Sequence, residues 1–124
     1  SDAYFDAHSL SDGTLRFICL VALLLQPELP ETILLDEPEL GLHPYAINVL
    51  ADLLKTASRK AQVIVSTQSV TLVNQFAPED IVIVDRVEGA SLFRRPSPKD
   101  ISTWLDEYGL GDLWEKNIIG GRPA

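Results

Sequence analysis

The chain has 124 residues, 46% of them hydrophobic and 23% charged, a balance that suits one soluble globular domain with a modest core. A formal net charge of -8 excludes a surface built to grip nucleic acid within these residues, because phosphate binding draws on clustered Lys and Arg. One cysteine, Cys19, excludes a disulfide framework and points to a reducing cytoplasm; the apolar stretch at residues 17–25 is well short of the roughly 20 residues that cross a membrane, and no basic signal-peptide start precedes it.

In chain order, residues 1–9 carry no strong periodicity, and the isolated His8 reads as a loop or cap residue. From Leu10 the pattern sharpens. Ser11 is a natural N-cap, and Leu15, Ile18, Cys19, Ala22 and Leu23 recur at helical spacing behind it. Phe17, Leu20, Val21, Leu24 and Leu25 fill the other faces, so a largely buried helix is expected, with Cys19 as a small core residue. Pro27 and Pro30 end it. Ile33, Leu34 and Leu35 then run into Asp36, Glu37 and Pro38, which reads as a parallel strand covered on both faces and ending in charge. Gly41 gives backbone freedom, Pro44 suits a first helical turn, and Ile47, Leu50 and Leu54 continue that helix towards Lys55, Arg59 and Lys60.

A second buried strand is expected over residues 62–66. Thr67, Gln68 and Ser69 follow it and cap a short helix through Leu72, Val73 and Phe76. Pro78, Glu79 and Asp80 make a turn, and residues 81–84 a third strand of the same type, so the order is that of parallel βαβ units. A turn at residues 87–90 precedes a strand over 91–95 that pairs antiparallel with the one before it. Pro96 and Pro98 break the chain ahead of a helix over 100–108 with the apolar stripe Ile101, Trp104 and Leu105; a further helical turn at 110–114 and a loose tail at 120–123 complete the reading. The two tryptophans, Trp104 and Trp114, read as core or interface anchors.

Open α/β sheets bind ligands beyond the carboxyl ends of their strands, and that is where Asp36 and Glu37 stand. Magnesium takes oxygen ligands, keeps several waters and commonly uses one or two carboxylates with substrate phosphates, which makes Asp36 a candidate metal ligand. Glu37, pointing differently, is a candidate to orient or deprotonate an attacking water. The bland reading of the same residues is a solvated Asp-Glu-Pro turn. Leu10-Ser11-Asp12-Gly13-Thr14 opens a helix, where unpaired N–H groups and the dipole favour a phosphate; the bland reading there is an ordinary capped helix.

These motifs occur in order: Leu10-Ser11-Asp12-Gly13-Thr14, Ile33-Leu34-Leu35-Asp36-Glu37-Pro38, Leu40-Gly41-Leu42-His43-Pro44 and Val65-Ser66-Thr67-Gln68-Ser69. Together they resemble the C-terminal half of an ABC-type ATPase head of the non-transporter branch, which includes RecF, SMC and OLD-like predicted AAA-type ATPases. The resemblance implies an α/β P-loop NTPase-like fold as a partial domain, with short parallel strands, a C-terminal β-hairpin and helices. It implies one domain over residues 1–124, with signature to switch region at 10–85 and the hairpin and helices at 86–124. It also implies ATP and Mg2+ as cofactors of the complete protein. Ser11 and Gly13 match the signature loop that meets ATP held by the opposite subunit, and Asp36 matches the Walker B aspartate that supports Mg2+. Glu37 matches the glutamate that activates water, Leu40 to His43 match the D-loop at the dimer seam, and Gln68 stands at the switch position.

Three substitutions depart from the pattern. Asp12 replaces a signature glycine, His43 replaces an aspartate, and Gln68 replaces a histidine, so it can hydrogen-bond a phosphate without an imidazolium's charge. None of the seven glycines opens a Gly-x-x-x-x-Gly-Lys-Ser/Thr loop. In the family it resembles that loop lies upstream in the same chain, so the resemblance implies a longer protein whose phosphate-cradling strand lies between the strands matching residues 62–66 and 80–85. Without that strand two edges lack partners, and rearrangement, swapping or pairing with another copy is the expected repair. The partners implied are a second ATPase head, the upstream half and a DNA-associated or nuclease partner, with no membrane. Two alternatives stand beside this reading: a non-catalytic interaction module or degenerate ATPase, and a metal-dependent nuclease on Asp36, Glu37, Glu39 and His43.

Overall fold

Proline and glycine punctuation divides the chain much as the sequence suggests in the computed structural model, which describes residues 12–97. Ser11 lies outside the described residues, as do His8 and the helices and tail expected beyond residue 97. The chain forms two compact units, Ser1–Thr67 and Gln68–Ala124.

In the first unit, α1 (Asp12–Leu24) is followed by β1 (Thr32–Asp36), α2 (Pro44–Ala57) and β2 (Gln62–Ser66). β1 and β2 are parallel neighbours in register from Thr32 opposite Gln62 to Asp36 opposite Ser66, with α2 as the crossover. This is the expected βαβ unit. Helix α2 forms because Pro44 presets its first turn and apolar residues return at helical spacing. Ile47, Leu50, Ala51, Leu54 and Ala57 bury one face, and α1 packs against α2 and contributes Leu20 and Leu24. Ile33 adds a buried side chain from the sheet. Past the last turn of α2, the Ser58 N–H donates to the Leu54 carbonyl at 2.9 Å.

In the second unit, Ser69 caps the one-turn helix α3 (Val70–Val73), its hydroxyl accepting from the Leu72 N–H at 3.1 Å. A 3-10 turn, Pro78–Asp80, leads to the antiparallel pair β3 (Ile83–Val87) and β4 (Ala90–Arg94). Both central residues of the connecting turn have positive φ, 51° at Glu88 and 80° at Gly89, the pattern of the two-residue turns that match strand twist. The Arg95 guanidinium donates to the carbonyls of Glu79 and Ile81 at 2.9 and 3.0 Å and fixes the foot of the hairpin to the 3-10 turn.

Three expectations need correction. Cys19 is exposed rather than buried, because it shares an open face of α1 with Ile18 and Ala22. β1 and β2 are covered on one face only: Leu34 and Ile64, side by side in the register, are 71% and 50% exposed. The third strand begins at Ile83 instead of Ile81 and belongs to a separate antiparallel sheet, since the tight turn at Glu88 and Gly89 fixes its register against β4. The described strands form two two-stranded sheets, β1-β2 and β3-β4. Among the described residues no helix is long and apolar enough to cross a membrane.

Candidate active site at the end of β1

Residues alternate across a strand, so Thr32, Leu34 and Asp36 of β1 share the uncovered face with Gln62, Ile64 and Ser66 of β2. An open depression of about 260 Å³ lies there, lined by Leu34, Leu35, Asp36, Ile64 and Ser66. Its floor is apolar and its far end polar. At that end the Ser66 hydroxyl donates to Oδ1 of Asp36, so the last residues of both strands are joined through their side chains as well as by the ladder. The Asp36 carboxyl group is exposed at the carboxyl edge of a parallel pair, the location where such sheets take ligands.

Glu37 leaves the strand abruptly. Its N–H donates to the Ser66 carbonyl at 2.7 Å, and its own φ is 47°, in the left-handed region that side chains disfavour. Pro38 then occupies the second place of a turn closed by the Leu40 N–H on the Glu37 carbonyl at 3.3 Å. Glu39 is buried, and the Thr67 hydroxyl donates to its Oε1 at 2.8 Å. The acidic turn is thus attached to the end of β2 through two successive residues, Ser66 and Thr67.

The turn also reaches α1. A Cβ placed on Gly13 would overlap the carbonyl oxygen of Gly41 and lie 2.8 Å from its carbonyl carbon. Gly41 itself has φ 78° and a Cβ there would stand 3.2 Å from the Gly13 Cα. Backbone meets backbone, which only glycine permits at both places. His43, expected as a cofactor-binding residue, caps α2: its Nδ1 accepts from the Tyr45 N–H at 3.2 Å. That leaves Nε2 to carry the proton and to face outward from an exposed side chain.

Of the residues expected to act, Gly13, Asp36, Glu37 and His43 therefore belong to the first unit, where Asp36 and Glu37 share Ser66 as a partner and Gly13 meets the Leu40 to His43 loop at Gly41. Gln68 is exposed and opens the second unit, directly after Thr67. Two of the residues named for the nuclease alternative make other contacts, Glu39 with Thr67 and His43 with Tyr45, and among the described residues no three His, Cys, Asp or Glu side chains converge on a metal position. For Mg2+ the fit is that of a partial site. Asp36 offers one exposed hard-oxygen ligand beside a serine hydroxyl, and the remaining positions would fall to phosphate and water. The pairings of Glu39 with Thr67 and of Gly13, in the first turn of α1, with Gly41 join distant parts of the chain, and no local pattern in the sequence points to either.

A family model described as "AAA domain, putative AbiEii toxin, Type IV TA system" matches residues 1–74. The energy-coupling factor transporter ATP-binding protein EcfA of Methanocaldococcus jannaschii is 30% identical over 107 residues, which span 86% of this chain and 36% of that protein. The chain thus corresponds to about a third of that relative's length. Two solved structures are similar in fold. One, from work on ATP-driven dimerisation and DNA-stimulated activation of SMC ATPases, aligns with a TM-score of 0.60 at 23% identity over 81% of this chain and 62% of its own. The other, an Smc head bound to the C-terminal winged-helix domain of ScpA, gives 0.64 at 23% identity over 77% of this chain and 29% of its own. The fold is that of an ABC/SMC-type P-loop NTPase head.

Proposed function

Because the chain belongs to this AAA-domain family, we propose that it is the signature-to-switch half of an ATP-hydrolysing head whose complete form closes on a second copy around ATP. One observation carries the reading: Asp36 and Glu37 leave the carboxyl end of a parallel strand side by side, both held by Ser66 of the neighbouring strand.

On this reading Asp36 is the carboxylate that supports Mg2+, oriented by the Ser66 hydroxyl. Bound Mg2+ would neutralise charge on the phosphates. Glu37, turned out of the strand by its left-handed backbone, accepts a hydrogen bond from the attacking water and receives its proton. Ser11 and Gly13 meet the nucleotide of the opposite copy at the start of α1, His43 lies in the loop at the seam with its Nε2–H available as a donor, and Gln68 donates to phosphate at the switch position. The upstream half, which would hold the phosphates, and a second copy are the partners this chemistry needs.

The test is the Glu37→Gln variant of the protein with its upstream phosphate-binding half. Steady-state ATP turnover should fall by about 100-fold or more, while ATP binding persists. Turnover equal to the parent protein would overturn the reading.

A further inference from the structure

Glu39 has no part in the chemistry so far, yet it is a buried acid, only 6% exposed. Taking a carboxyl group out of water is costly unless hydrogen bonds replace the lost solvent. The replacement is the Thr67 hydroxyl at 2.8 Å, and no buried side-chain polar atom among the described residues lacks a partner.

The position of that bond is informative. Glu37 is attached by its backbone to Ser66, and Glu39, two residues on, is attached by its side chain to Thr67, one residue on. The two bonds flank Pro38, itself buried, and enclose the one stretch of the turn where a non-glycine residue holds a positive φ. The turn's own closing bond, Leu40 N–H to Glu37 carbonyl, is long at 3.3 Å. A left-handed glutamate persists only where its surroundings over-determine it. The attachment at Glu39 is the far half of that constraint.

We propose that Glu39 is a positioning residue for Glu37: through the Thr67 hydroxyl it holds residues 37–40 to the end of β2 and so fixes the direction of the Glu37 carboxylate. The proposal rests on the reading of Glu37 as the group that activates water. It assigns no contact between Glu39 and nucleotide.

The experiment is single-turnover ATP hydrolysis and ATP affinity in the complete ATPase, for Thr67→Val, Glu39→Ala and Glu39→Gln, with Thr67→Val also combined with Glu37→Gln. Thr67→Val and Glu39→Ala should slow hydrolysis about tenfold or more at unchanged ATP affinity. Glu39→Gln, whose amide oxygen accepts the same bond, should restore most of the rate lost in Glu39→Ala. In the Glu37→Gln background Thr67→Val should slow nothing further, since the residue being positioned is already disabled. A multiplicative loss in that background, or a normal rate for Thr67→Val alone, overturns the positioning role. A normal rate for Glu37→Gln alone overturns the underlying reading instead, so the two failures are distinguishable. If Glu39→Ala does not fold, Thr67→Val carries the test by removing one hydroxyl group.

Discussion

At Glu37 the backbone and the proposed chemistry compete. A φ of 47° on an L-residue costs about 1–2 kcal/mol, and a following proline narrows the choices further. The 2.7 Å bond to Ser66 and the attachment at Glu39 hold the conformation against that cost. Glycine at this position would lose the Cβ penalty while loosening the unfolded chain. The expected balance is that Glu37→Gly raises unfolding free energy by about 0.5–1 kcal/mol, whereas Glu37→Gln stays within about 0.5 kcal/mol of the parent. Urea unfolding of the two variants decides it: a glycine variant less stable than the glutamine one would mean that this backbone is unstrained. The paired acids were legible in the sequence because an apolar run ending in Asp-Glu-Pro carries its chemistry in residue identities. The left-handed turn at Glu37 was not, since nothing in a Glu-Pro pair demands it.

Among the elements, the start of α1 is fixed by what it touches. Gly13 lies against the Gly41 backbone, so Gly13→Ala must push α1 off the loop that leads into α2. Forced overpacking of this kind costs about 1–3 kcal/mol. Cys19→Ala, on the exposed face of the same helix, should change stability by no more than about 0.5 kcal/mol. Thermal unfolding of the two side by side checks both, and an unperturbed Gly13→Ala protein would show that the approach is not close. The existence and extent of α1 followed from helical spacing and the prolines after it. Which face is buried did not follow, because a helix apolar all round states what can be covered and not which neighbours are there to cover it. The same limit explains β3, whose apolar lead-in at Ile81 and Val82 is outranked by the register that the Glu88-Gly89 turn imposes on Ile83 to Val87.

At the level of the whole molecule, the β1–α2–β2 unit agreed with its sequence from the first strand to the second, because Pro44, the helical spacing of Ile47, Leu50 and Leu54, and the β-branched run at residues 63–65 all favour the same elements. The uncovered sheet face departed from it. Leu34 and Ile64 were read as core, and their exposure separates stability from hydrophobicity in a way that can be measured. Leu34→Ala should cost this chain less than about 1 kcal/mol, while Leu50→Ala, at a position with 0% exposure, should cost about 2–5 kcal/mol. Equal losses in chemical denaturation would mean that the face is covered in solution.

The meeting of Gly13 and Gly41 also bears on how this sequence can drift. When two side chains collide, a lineage can recover by shrinking either one. Here the obstacle to any larger residue at position 13 is a main-chain oxygen, which every amino acid carries, so no exchange at position 41 can remove it. Recovery would have to come from reseating the whole of α1 on α2 through residues such as Leu20 and Leu24. Position 13 is therefore held by a neighbour that mutation cannot edit, and its history should be tied to the packing of two helices more than to the residue it touches.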